Sequence, residues 1–228
     1  MCGRYKRRSD KQHIAEAFQV SVGLEELYLG PEDDIAPQSF QPVIHLNEDG
    51  ERQIELMRWA FKLPDRLLFN ARSEGIEDAN FWKESFIERR CIVPGDAVFE
   101  WQDVKNGKKP KYEFTLPGKE PFGMAAVWKL WKHPKTNQWE RTFAVLTGEP
   151  NGLMEPIHPR MTTFLEPRDY PEYLAPAERL HARGCKAATG IYALPESRLQ
   201  LLVRSRYTEP SQLSGVCETL LNFGGLVL

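Results

Sequence analysis

The chain is 228 residues long, a length that fits one large domain and buries enough surface, about 70 to 75%, to hold a core without disulfide staples or structural metals. Hydrophobic residues at 41% and charged residues at 27% exclude a disordered tail or a fibre. The 30 Lys and Arg against 32 Asp and Glu leave a net charge of −2, so a polyanion has to be met by a local basic patch and not by bulk charge.

The N-terminal segment MCGRYKRRSD has no apolar run after its charges, and no apolar stretch approaches the roughly 20 residues that span a bilayer. A cytoplasmic protein with no membrane contact is expected. Cys2, Cys91, Cys185 and Cys217 form no CxxC pair, which predicts reduced thiols and no metal site or cofactor. A first helix is predicted in SDKQHIAEAF, with Ser9 and Gln12 as a capping box and Ile14 and Phe18 as the apolar stripe. A second is predicted in ANFWKESFIERR, capped by Asn80, with Trp82, Phe86 and Ile87 buried.

Strands are predicted at QPVIHL, RQIELMRWAF, RRCIVPGDAVFEW, KYEFTL, FGMAAVW, WERTFAVL and LQLLVRS, all rich in β-branched or aromatic residues. EYLAPAERLHARG reads as a C-terminal helix stopped by Gly184. Strands following one another without helices between them favour antiparallel pairing. The expected fold is α+β: a single domain over residues 1–228 with a mainly antiparallel, curled or barrel-like sheet and flanking helices.

Four segments carry candidate chemistry. Removal of Met1 would leave Cys2 with an α-amine and a thiol on one residue, a 1,2-aminothiol that forms an imine with an aldehyde and then closes a thiazolidine ring. Position 2 reads equally well as a frayed terminus. In FNARSE, Asn70 and Arg72 share one face of an extended segment and suit a sugar or a phosphate, or merely a polar strand edge. In VFEW, Glu100 between Phe99 and Trp101 is placed to have a raised pKa and act as an acid or base, and Trp101 to stack on a nucleobase; a surface Glu beside a core Trp is the blander alternative. In IHPRM, flanking prolines fix His158, a proton-transfer candidate, and Arg160 follows as a phosphate candidate; an ordinary loop histidine is the alternative.

These segments, MCGRY, APQ at 36–38, RWAF at 58–61, NARSE at 70–74, RRCIVPGDAVFEW, AAVWKLW at 125–131 and TFAVLTGEPNGLMEPIHPRM at 142–161, together resemble the SRAP family, SOS response-associated peptidase-like proteins that process abasic sites in DNA. The resemblance covers about residues 1–165 and leaves the tail unassigned. It implies an SRAP fold and a covalent thiazolidine cross-link from Cys2 to an abasic site in single-stranded DNA. It also implies a self-processing peptidase or lyase-like activity and a monomeric protein working at the nucleoid or replication fork. Cys2, Asn70, Glu100 and His158 are the implied catalytic residues; Arg4, Trp59, Arg72, Trp101 and Arg160 are the implied DNA contacts. The sequence departs from the family pattern at Gln38, Ala60 and Thr162, where Thr, Gly and Pro are usual.

Two other classes fit parts of the pattern. An N-terminal-nucleophile amidohydrolase also begins MCG and uses that cysteine on an amide, but has no place for FEW or IHPRM. A non-covalent single-stranded DNA-binding module would keep Cys2 blocked by Met1.

Overall fold

The computed structural model describes residues 3–116 and 121–175, together with the backbone of 200–203 and 219–220. In chain order the elements begin with β1 (Arg4–Arg7), α1 (Lys11–Phe18), β2 (Glu32–Ile35), β3 (Phe40–Leu46), β4 (Arg52–Trp59), β5 (Phe61–Lys62), β6 (Leu67–Leu68) and β7 (Asn70–Arg72). They continue with α2 (Lys83–Glu88), β8 (Arg90–Gly95), β9 (Ala97–Trp101), β10 (Lys111–Thr115), β11 (Phe122–Lys132) and β12 (Trp139–Gly148). The last are β13 (Met161–Thr162), β14 (Phe164–Leu165), α3 (Tyr170–Leu174), β15 (Gln200–Val203) and β16 (Thr219–Leu220).

β12 pairs with β4, β4 with β3, β3 with β8, β8 with β11, and β11 returns to β12, so five strands close into a barrel. Closure removes the open edges that a curled sheet would otherwise expose. A second sheet runs β16-β15-β10-β9-β1-β2. Between the described strands pairing is antiparallel except where β12 runs parallel to both β4 and β7. The expected α+β, barrel-like architecture is the one observed.

Alternation along the barrel strands serves two cores. Val43, Met57, Trp59, Val93, Met124, Phe143 and Val145 pack with Tyr5, Val98 and Phe114 of the second sheet. Ile44, Ile54, Ile92, Val127 and Leu146 point the other way and pack with Ile14 and Phe18 of α1, Phe86 of α2, and Tyr170 and Tyr173 of α3.

The segment RRCIVPGDAVFEW, predicted as one strand, is two: β8 belongs to the barrel and β9 to the second sheet. The break lies at Asp96, whose N–H donates to Lys6 O and whose carboxylate accepts from Arg8 N, Ser9 N and Ser9 Oγ. Ser9 is therefore not the cap of α1. Asp10 is, accepting from His13 N at 2.8 Å, while Ile14 and Phe18 are buried as expected. α2 is shorter than predicted and has no side-chain cap at all, so Asn80 does not cap it. Phe86 is buried, whereas Trp82 is half-buried and Ile87 exposed. The predicted helix EYLAPAERLHARG is cut short: α3 runs only from Tyr170 to Leu174, and Ala175 is extended, as a residue before a proline prefers to be; its expected stop at Gly184 lies outside the described residues.

Gln38 and Ala60 have φ of 81° and 84°, in the left-handed region that favours glycine. Arg58 Nη1 donates to Gln38 O, Gln38 N to Trp59 O and Ala60 N to Phe143 O, holding this crossing in place. Two of the three departures from the family pattern thus occupy one knot of backbone hydrogen bonds. Gly23 is more demanding: φ is 88°, and a Cβ there would lie well inside contact distance of the Ile54 carbonyl oxygen. Gly23→Ala is expected to cost about 3 kcal/mol by forbidden backbone and backbone overlap together, read as a lower denaturant midpoint with an unchanged slope.

Candidate active site

β1 lies antiparallel to β9 with Arg4 opposite Phe99 and Tyr5 opposite Val98, and β10 pairs on the other side of β9 with Tyr112 opposite Glu100. Residues that pair share a face. Tyr5, Val98, Glu100, Tyr112 and Phe114 therefore turn inward to the first core, and Arg4, Phe99, Trp101 and Lys111 turn outward. The sequence reading placed the Glu100 carboxylate between two aromatic rings; the strand puts it on the face opposite to both.

Glu100 is 2% exposed. Burial pushes its carboxyl up to about 7 from an ordinary 4.5, because removing the charged form from water costs more than removing the neutral one. Of the two alternatives that the sequence leaves open for Glu100, a raised pKa and a surface carboxylate, its burial fits the first.

Asn70 and Arg72 come from β7, beside Val145 and Thr147 of β12. Val145 belongs to the first core, so Asn70 stands at the border of the core that Glu100 enters. Ala71, between them, packs into the second core, and Arg72 is exposed.

His158 follows a tight turn anchored by Met154 and Ile157, both in the first core. Asn151 Oδ1 accepts from Met154 N, and Met154 O accepts from Ile157 N and His158 N. The chain then enters β13, where Thr162 pairs with Thr147. Nδ1 of His158 lies 2.9 Å from Arg160 O and 3.1 Å from Arg160 N, so either neutral tautomer has a backbone partner: Nδ1 donates to the carbonyl or accepts from the N–H. Burial lowers the pKa of His158, and the Arg160 charge adds in the same direction against the backbone hydrogen bond. A neutral imidazole at neutral pH results.

Gln102, just past β9, was not anticipated. Its Nε2 donates to Pro156 O at 2.9 Å, and its Oε1 accepts from Tyr112 OH at 3.0 Å, tying the Glu100 strand to the turn before His158. No sequence motif marks it, since its role exists only between distant segments. Glu100, Asn70 and His158 are thus brought to the rim of one core from three separate elements.

The implied DNA contacts divide. Trp59 is fully buried, stacked at 6.3 Å on Phe143, edge-on to Tyr5, with Nε1 donating to Phe69 O; it has no face for a nucleobase and is a core residue. Trp101 is half-buried on the outer face, with the Lys111 ammonium 5.3 Å from its ring centroid and 3.7 Å from that of Phe99. Arg4 on the same face pairs with Asp34 at 2.6 Å, both being exposed. Arg160 is turned inward to Glu74 and Thr147. Lys111 is a cation that the sequence reading passed over. Cys2 lies outside the described residues.

The Glu100 shift has a consequence for stability. The native state binds this proton more tightly than the unfolded chain, so it holds more protons between about pH 4.5 and 7, and stability falls as pH rises through that window. The penalty is absent below the unfolded pKa and full above the folded one, at about 3 kcal/mol. Glu100→Gln is expected to match the parent in chemical denaturation at pH 4.5 and to exceed its stability by up to about that amount at pH 8.

The family model SRAP, SOS response associated peptidase, matches residues 1–200. The Bacillus subtilis (strain 168) abasic site processing protein YoqW is 28% identical over 184 residues, covering 77% of this chain and 81% of the relative. Abasic site processing protein HMCES of Xenopus tropicalis is 26% identical over 170 residues, covering 60% of this chain and 51% of that protein. A crystal structure from Bacteroides thetaiotaomicron superposes with a TM-score of 0.76 at 19% identity over 90% of this chain and 93% of that one. A second, from Bordetella bronchiseptica, has a TM-score of 0.70 at 22% identity over 88% and 98%. A family match over most of the chain, a shared barrel and the ordered motifs agree: the chain belongs to the SRAP family.

Proposed function

We propose that this protein processes abasic sites in single-stranded DNA by covalent capture through Cys2 after removal of Met1. The observation that carries the reading is the burial of Glu100 on the strand that pairs with β1. Arg4 stands opposite Phe99, a register that carried back one residue brings Gly3 level with Glu100, and Cys2 is by covalent geometry only two peptide units, at most about 8 Å, from Arg4. The abasic-site names of the relatives support the same substrate.

An abasic deoxyribose opens to an aldehyde. The Cys2 amine adds to the C1′ carbon to give a carbinolamine, loss of water gives the imine, and the thiol adds across the C=N bond to close the thiazolidine. Glu100, with its pKa near 7, takes a proton from the attacking amine and returns one to the leaving hydroxyl. Neutral His158 exchanges a proton with the sugar ring oxygen as the ring opens, and Asn70 holds the sugar or the amine in line. The same groups serve self-removal of Met1.

Arg72, exposed beside Asn70, meets a flanking phosphate. Trp101 offers an outward ring to a base, and Arg4 and Lys111 accompany it, Arg4 exchanging an exposed carboxylate partner for phosphate at little cost. The protein acts as a monomer in the cytoplasm, as a single domain without cofactor.

Processed protein mixed with single-stranded DNA carrying an abasic site is expected to give a band shift that survives heat and detergent. Cys2→Ala should abolish it; equal yield from that variant would overturn the assignment. Glu100→Gln is expected to slow adduct formation roughly 100-fold while anisotropy shows unchanged binding to undamaged strand. Arg72→Ala should weaken that binding for all sequences and reduce the log–log salt slope by about 1; an unchanged slope would remove Arg72 from the contact surface.

A further inference from the structure

Arg160 has the sequence position of a phosphate ligand, but its guanidinium is committed elsewhere. Nη1 and Nη2 donate to the two carboxylate oxygens of Glu74 at 2.8 and 2.7 Å, and Nη2 also donates to Thr147 O. The Arg160 side chain is 18% exposed. Ser73 N donates to the same Thr147 carbonyl at 2.9 Å, and Ser73 Oγ at 3.2 Å. The Arg160 side chain therefore grips the segment that continues from Asn70, across the end of β12, while its backbone N–H and carbonyl bracket Nδ1 of His158.

We propose that Glu74 is a positioning residue for the reaction: its bidentate pair with Arg160 fixes the backbone that orients the His158 ring and sets that ring against Asn70. This rests on the reading of His158 as a proton-transfer group. Two flat, parallel hydrogen bonds define an angle as well as a distance, which a single contact or a lysine does not. A phosphate taking the place of Glu74 would leave Nη2 on Thr147 O and so would meet a guanidinium already turned inward. The Arg160 charge lowers the His158 pKa, and the Glu74 carboxylate lies directly on that guanidinium. With Glu74 neutral, that cation acts unopposed, and the ring should lose its proton at a lower pH.

The experiment compares the parent with Glu74→Gln, Glu74→Asp, Arg160→Lys and His158→Gln in the full processed chain. Three quantities are read: adduct rate against pH with saturating abasic strand, affinity for undamaged strand, and the His158 ring titration by NMR without DNA. Glu74→Gln and Arg160→Lys should slow the adduct about tenfold or more, and Glu74→Asp should recover part of the loss. The His158 titration should move to lower pH in Glu74→Gln, with strand affinity within about twofold of the parent. An unmoved titration and rate in Glu74→Gln would overturn the proposal. So would tighter strand binding with a steeper salt dependence, since Glu74 would then be occupying a phosphate position. His158→Gln separates the two readings: if it reacts at the parental rate, the His158 role fails; if it is slow while Glu74→Gln is normal, only the positioning role fails.

Discussion

The ladder that holds β9 between β1 and β10 is the constraint on which the site depends. Pairing Arg4 with Phe99 and Tyr112 with Glu100 leaves the carboxylate of Glu100 no choice of face. A strand alternates its side chains, and the inward positions around Glu100 are held by Tyr5, Val98 and Phe114. Slipping the register by one residue would put Trp101 into the core and Glu100 into water, where its pKa would return to the ordinary carboxylate range.

The rest of the site is arranged around β12. Its parallel partner β7 supplies Asn70 and Arg72, and its antiparallel partner β13 follows the turn that supplies His158. Because β12 also closes the barrel against β4 and β11, these residues are mounted on a strand with neighbours on both sides. Mounting of this kind holds their backbones in fixed relation to one another, as the proposed chemistry would need. The polar links that cross between elements, Gln102 to Pro156 and Glu74 to Arg160, lie where backbone pairing no longer connects the segments.

The outer face of the second sheet has a different character. Trp101, Arg4 and Lys111 gather there, a local cationic and aromatic surface on a molecule whose net charge is −2. Asp34 sits against both cations. A surface carboxylate of this sort offsets part of the patch's positive charge, and is exchanged at little cost because exposed pairs are worth about 0 to 1 kcal/mol.

The longer apolar strands, the apolar face of α1, the blocks MCGRY, NARSE, VFEW and IHPRM and the family they indicate were legible in the amino-acid sequence, because period and residue type are local properties; the short polar strands β1, β2 and β7 were not, because only their partners make them strands. The presence of Glu100 and His158 in those blocks was legible too. Their environment was not. That the carboxylate enters a core facing away from Phe99 and Trp101, that Trp59 is buried instead of offered to a base, and that Arg160 binds Glu74 are matters of which distant segments meet. Asp96 breaking one apolar run into two sheets and Asp10 displacing Ser9 as helix cap have the same origin: Ser9 was drawn to a partner 87 residues away. Local pattern specifies what each residue can do; long-range pairing and burial choose which face it presents, and with it the proton affinity and the partners that make it functional.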